Sequence, residues 1–137
     1  MRHHAALDDH LSNVPLFSNM SLKEREAVRA LLSEVDVPAG ARLAREGAIG
    51  HEFFIIVSGT ASVEHDGVHI ADVGPGDYQG ELSLLDGGRR TATVTATSPM
   101  TVMVASQQEF NTLLDEHPTI ARRMLPALAA RVRSFAD

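Results

Sequence analysis

Between Gly40 and Ala105, glycine recurs at 40, 47, 50, 59, 67, 74 and 76, and it cuts this stretch into pieces of strand length. The pieces carry the period of two that marks a strand. Phe53-Phe54-Ile55-Ile56-Val57 is a continuous apolar run, short enough to be one strand buried on both faces. Residues 61–65 and 68–73 flank Asp66-Gly67, a dipeptide suited to a type I′ hairpin turn. From residue 91 onward Ala92, Val94 and Ala96 alternate with Thr91, Thr93, Thr95 and Thr97, and Met100, Val102 and Val104 continue the pattern beyond Pro99. Short strands broken by glycine turns are the pattern of a compact antiparallel roll, here of about seven or eight strands.

Helical signals flank this region on both sides. Leu11, Val14, Leu16, Phe17 and Met20 imply a short helix and turn near the start. Ser21 with Glu24 forms a capping box, and Val28, Leu31, Leu32 and Val35 recur at helical spacing, which predicts a helix over 22–34 ended by Pro38-Ala39-Gly40. Ser106 with Glu109 is a second capping box, opening a helix that stops at His117-Pro118. A last helix places Ile120, Ala121, Met124, Leu125, Leu128, Val132 and Phe135 on one face. Pro126 lies inside it and predicts a kink near 122 or a restart at 126.

At 137 residues the chain has the length of one domain. It contains no cysteine, which excludes disulfides, thiolate metal sites and a cysteine nucleophile. No signal-peptide core or membrane-length apolar run occurs, so a cytoplasmic protein without membrane attachment is expected. The net charge of −6 opposes non-specific attraction to nucleic acid or anionic lipid, so an anionic ligand needs locally placed arginine. Histidines are numerous, but the His-x-His pair with a following carboxylate that marks a metal-binding roll is missing, and no metal is expected. No nucleophile with a neighbouring base and no carboxylate pair points to an enzyme.

Local arginine occurs in the stretch from Gly76 to Val94, GDYQGELSLLDGGRRTATV. A short helix beginning after Gly80 would aim unpaired amides and a positive dipole end outward, as an oxyanion site requires. Gly80 leaves room for a ligand to approach the backbone. Gly87 and Gly88 can end the turn, and Arg90 then returns toward the same anion with a guanidinium suited to two parallel hydrogen bonds. Glu81 would repel a phosphate unless it served sugar hydroxyls. Together these residues suggest a nucleotide with one phosphate, and no GxxxxGK[ST] loop suggests an NTPase.

The segment from Gly80 to Leu85 and then Arg90-Thr91-Ala92-Thr93-Val94 resembles the phosphate-binding cassette of the cyclic nucleotide-binding domain family. That family includes catabolite activator proteins, cyclic-AMP-dependent kinase regulatory subunits and cyclic-nucleotide-gated channels. Asn13 to Phe17, Pro38-Ala39-Gly40, Glu46-Gly47 and Phe54 to Gly59 match the family in order and spacing, so the resemblance covers about residues 11–135. It implies an α+β fold: an antiparallel β-roll (a double-stranded β-helix of about eight strands) with N-terminal helices, two C-terminal helices and a short phosphate-binding helix inserted between strands. One domain over 1–137 is expected, with a helical segment 1–36, the roll 37–105 carrying the cassette 76–94, and helices 106–137.

The resemblance further implies that Glu81 takes the ribose 2′-hydroxyl and Arg90 the cyclic phosphate, with Gly80 and the amides near Leu82 and Ser83 closing the cage. Thr91 can reach the phosphate or a guanine amino group, which permits cyclic GMP beside cyclic AMP. Val132 and Phe135 are candidates for a lid over the base or for contact with a second subunit. Arg89 stands where the family usually has proline, and Gln79 where it usually has an apolar residue. The expected role is a cyclic nucleotide sensor, with cyclic AMP favoured on family grounds, that signals by moving its C-terminal helices to a second copy or a separate effector. The alternatives are a roll that has lost its ligand and serves protein interaction, or the sensor part of a longer transcription regulator. No helix-turn-helix follows the roll, so DNA binding by this chain alone is not expected.

Overall fold

A computed structural model describes residues 4–81, 85 and 88–136. The chain opens with α1 (His4–Ser12), a 3-10 turn (Pro15–Phe17) and α2 (Leu22–Arg29). Eight strands follow among the described residues: β1 (Ser33–Val37), β2 (Arg42–Ala44), β3 (Glu52–Ser58), β4 (Ala61–His65), β5 (Val68–Val73), β6 (Tyr78–Gln79), β7 (Thr93–Ala96) and β8 (Met100–Ser106). Two further helices, α3 (Gln107–Glu116) and α4 (Pro118–Ala136), complete the described chain.

The strands form two four-stranded sheets, ordered β1-β8-β3-β6 and β2-β7-β4-β5, with every pairing antiparallel. This is the expected roll. Its interior is filled from both sheets, by Val37, Phe54, Ile56, Met100 and Val102 on one side and Ala44, Ala61, Val63, Val94 and Ala96 on the other. A second core lies outside the first sheet, where Phe53 and Ile55 meet Leu7, Leu11, Val14, Leu16, Phe17, Val28, Phe110, Leu113, Ile120 and Met124 from the helical segments. The ring of Phe17 stands edge-on to Phe53, with centroids 5.6 Å apart and planes 87° apart, and Phe110 lies 6.1 Å from Phe17.

The apolar run at 53–57 therefore supplies one strand to two cores. Because successive side chains of a strand point to opposite faces, Phe53 and Ile55 go to the helices while Phe54 and Ile56 go into the roll. All four are buried. The Asp66-Gly67 turn has φ of 52° and 76°, the two positive values that a type I′ turn demands.

Both capping boxes form as read. Glu24 N–H donates to Ser21 Oγ while Ser21 N–H donates to Glu24 Oε1, and the same reciprocal pair joins Ser106 and Glu109. One expectation fails, and one alternative of another. The helix over 22–34 stops at Arg29, and residues 33–37 pair with β8 from Ser33↔Val104 to Val37↔Met100. The roll consequently begins at Ser33 rather than at residue 37. Leu31 and Leu32, in the turn after α2, still pack on the helical core, while Val35 in β1 is exposed and Val37 enters the roll, so the helical spacing in this stretch did not mark one buried helix face. At Pro126 the alternative of a restart is not met, because α4 runs on through the proline. The proline costs that helix one backbone bond, and the packing of Ile120 and Met124 in the helical core holds its first turns in place.

Replacing Phe53 with alanine removes the ring that contacts Phe17 and leaves a cavity under β3. Phe53→Ala is expected to lower stability by about 3–5 kcal/mol, read from the midpoint of urea denaturation, whereas truncating the exposed Val68 to alanine changes it by less than about 1 kcal/mol.

Candidate functional site

The stretch singled out in the sequence lies between β6 and β7, and its returning arm is built as a two-stranded ladder. Gly50 N–H donates to Gly88 carbonyl (3.0 Å), Arg90 N–H to Ala48 carbonyl (2.8 Å) and Gly47 N–H to Arg90 carbonyl (2.9 Å). Ile49 and Arg89 form the bridge at its centre. Both backbone groups of Arg90 are therefore fixed by residues 47 and 48 before its side chain touches anything.

That side chain enters a slot made by two glycines. A Cβ added at Gly50 would meet Arg90 Cδ and Cζ at 2.8 Å, and one added at Gly80 would collide with Arg90 Nη1 and with the carbonyl of Glu52. Gly80 also has φ of 84°, which any side chain would strain. Arg90 Nη2 donates to the Glu52 carbonyl at the start of β3. Burial pulls the guanidinium below its usual pKa, and the charge of Glu52 partly restores it, so the group remains a cation with reduced hydration.

Glu81 follows Gly80 and is 6% exposed, the one buried charged residue among those described. Its Oε2 is sealed from solvent. Leu85, which is helical, packs against the helical core. The structure thus brings Gly80, Glu81 and Arg90 together at one end of β3. Leu82 and Ser83 lie outside the described residues, as do 84, 86 and 87, where the inserted helix was expected, and the side chain of Phe135. Thr91 is exposed and follows Arg90 directly. Val132 is 68% exposed on α4.

Two of the unusual residues have structural roles. Arg89, in place of proline, donates from Nη1 to the Gly47 carbonyl (2.7 Å) across the ladder, and its side chain is exposed. Gln79 pairs with Phe54 in the β3–β6 register, so its backbone supports the strand while its side chain is half-buried.

Sequence reasoning missed the support for this arm from residues 46–50 and from the β4–β5 hairpin. Glu46 N–H donates to Thr93 Oγ1 (3.0 Å), Asp66 N–H donates to Glu46 Oε1 (2.9 Å), and His65 Nδ1 lies 2.8 Å from the Thr91 carbonyl. Glu46, His65 and Asp66 bring potential ligand atoms within 4.8 Å of one another, and these hydrogen bonds tie the three to the backbone around Thr91. The only local signals were Gly50, one glycine among several, and a histidine beside the Asp-Gly turn. The Thr91 carbonyl, and then the charges of Asp66 and Glu46, raise the pKa of His65 above that of an ordinary histidine.

The comparisons with known proteins decide what this constellation belongs to. The profile of the cyclic nucleotide-binding domain matches residues 34–117, more than half of the chain. This chain belongs to the cyclic nucleotide-binding domain family. It is 37% identical over 109 residues to a cyclic nucleotide-gated potassium channel of Rhizobium etli, covering 79% of this chain and 30% of the channel. Its fold superposes with a TM-score of 0.85 on the N-terminal domain of a transcriptional regulator from Streptomyces coelicolor A3(2), at 31% identity and covering 93% of each chain. The regulatory domain of the Toxoplasma gondii PKA, solved with cAMP, gives a TM-score of 0.72 at 31% identity, covering 81% of this chain and 44% of that one. The chain spans less than a third of the length of the curated relatives it matches. Membership in the family makes this a regulatory sensor domain whose ligand class is the cyclic nucleotide. No helix among the described residues is long and apolar enough to cross a membrane.

Two outcomes test this geometry. Gly80→Ala combines left-handed strain with a collision against backbone, and is expected to cost about 1–3 kcal/mol in chemical denaturation; Gly50→Ala, whose Cβ meets only the Arg90 side chain, is expected to cost less. For His65, a folded pKa above the unfolded one means that its stabilisation is complete below the unfolded pKa and is lost as pH rises through the folded value. The stability difference between the wild type and His65→Gln should therefore be greatest in mild acid and shrink on raising the pH, followed by thermal denaturation alongside an NMR titration of the ring.

Proposed function

We propose that the Gly80–Arg90 constellation holds cyclic AMP, and cyclic GMP more weakly. The observation that carries this reading is the Arg90 guanidinium, partly desolvated in the Gly50–Gly80 slot, with the buried Glu81 following Gly80 in the chain. A guanidinium held this way gives up little further entropy when a cyclic phosphate arrives. Glu81 then accepts from the ribose 2′-hydroxyl. Gly80 and the amides of Leu82 and Ser83 close the cage around the phosphate, and the Thr91 hydroxyl reaches the phosphate or a guanine amino group.

In the same reading residues 1–137 work as a single cytoplasmic sensor domain, and α4 is the output. α4 packs on α3 and on the 3-10 turn, and exposes Leu125 and Val132 one heptad apart. Ligand binding shifts the position of α4, with Val132 and Phe135 closing over the base or meeting a second copy or a separate effector. The net charge of −6 supports no DNA contact and no membrane contact by this chain itself. A second reading, in which this chain is the sensor part of a longer regulator, is favoured by the small share of its relatives that it spans.

Titration calorimetry on the wild type, Arg90→Ala and Glu81→Ala tests the site. Each substitution is expected to weaken cyclic AMP about 10- to 100-fold, the equivalent of about 1.5–3 kcal/mol for a charge-assisted hydrogen bond, while Arg89→Ala changes it little. Undetectable binding to the wild type at millimolar ligand, or unchanged binding by Arg90→Ala, would overturn the reading.

A further inference from the structure

A cleft of about 650 Å³ lies where α4 faces the N-terminal helical segment, lined by Asn19, Thr119, Arg122, Arg123 and Pro126. Among the described residues it shares none with the cyclic nucleotide constellation. We propose that this cleft is a second ligand site, and that its ligand is a small organic acid with one carboxylate on an apolar body.

The lining residues of α4 fall at intervals of three, one and three, so they occupy one face of its first turns. Asn19, in the turn between the 3-10 turn and α2, forms the opposite wall. The volume suits a small molecule, since ligand pockets run from about 300 to 1,000 Å³. Thr119 is in the first turn of α4, where backbone amides lack intrahelical acceptors and the dipole favours an anion.

Charge sets the class of ligand. α4 carries Arg122, Arg123, Arg131 and Arg133 and no acidic residue, in a chain of net charge −6. Arg123 already meets a carboxylate, with Nε 3.5 Å from Oε1 of Glu24, the residue that also closes the α2 capping box. Arg122 makes no ion pair among the described residues, so the cleft holds one uncompensated positive charge. One such charge suits a carboxylate, while a di- or triphosphate would face Glu24 with too little cation to balance it. The Pro126 ring and the aliphatic stems of the arginines leave an apolar wall for the body of the ligand.

An acid seated there would join Asn19 to α4 and favour the arrangement in which α4 rests on the N-terminal segment. On the reading of α4 as the output, and resting on it, acid and cyclic nucleotide must then change each other's affinity by the same factor. The binding of the acid does not depend on that reading.

The probe is benzoate, with benzamide as its uncharged counterpart, followed by amide NMR on the full chain at constant ionic strength. Benzoate is expected to shift the amides of Asn19, Thr119, Arg122 and Arg123 saturably, with a Kd on the order of 1 mM, and benzamide is expected to leave them in place. Arg122→Gln, at an exposed position and checked by its melting temperature, should weaken benzoate at least about tenfold, the lower bound for losing a charge-assisted bond. Arg90→Ala should retain it, which separates this site from the nucleotide site even if cyclic AMP fails to bind. Absence of saturable shifts, equal shifts with benzamide, or full affinity in Arg122→Gln would overturn the second site. Unchanged cyclic AMP affinity at saturating benzoate would overturn the coupling.

Discussion

Burial of β3 on both faces is the constraint on which the rest of the molecule depends. Phe54 and Ile56 close the interior of the roll, and Phe53 and Ile55 close the core beneath the helices. Each such side chain contributes roughly 1.5–3 kcal/mol through burial alone, so one strand joins the two halves of the domain energetically. The same strand begins at Glu52, whose carbonyl receives the Arg90 guanidinium. Position at the candidate site is in this way inherited from an element buried on both faces.

Arg90 shows how that rigidity reaches the site. A long flexible side chain normally loses much entropy when it is held, and here the loss occurs during folding instead of at the moment of binding. The ladder from residues 47–50 fixes its backbone, and Gly50 and Gly80 give its side chain a channel with no room for a Cβ on either wall. The network of Glu46, His65 and Asp66 braces the next residue, Thr91, from the hairpin side. Two glycines separated by thirty residues in sequence therefore serve one guanidinium.

α4 has the opposite character. Ile120 and Met124 bind its start to the helical core, while Leu125 and Val132 face outward further along. It passes through Pro126 without ending, at the point where the arginine-lined cleft opens toward Asn19. With Leu125 and Val132 exposed, a displacement of α4 there would sacrifice no buried contact of theirs.

The sequence by itself determined the elements whose signals are local. Glycine punctuation with period-two apolar residues specified the roll, Asp66-Gly67 its hairpin, and two capping boxes the starts of α2 and α3, because each is fixed by backbone sterics or by a bond three residues away. It also singled out Glu81 and Arg90, a carboxylate and a guanidinium on either side of a glycine-rich turn, as the candidates for a sugar phosphate. Tertiary structure decided what depends on partners distant in the chain. Residues 33–37 became strand because β8 offered them a full register of hydrogen bonds, against an apolar spacing that read as helix. The importance of Gly50 and the bracing by His65 were equally invisible, because a glycine's empty space and a histidine's proton acquire meaning only when Arg90 and the Thr91 carbonyl are folded against them.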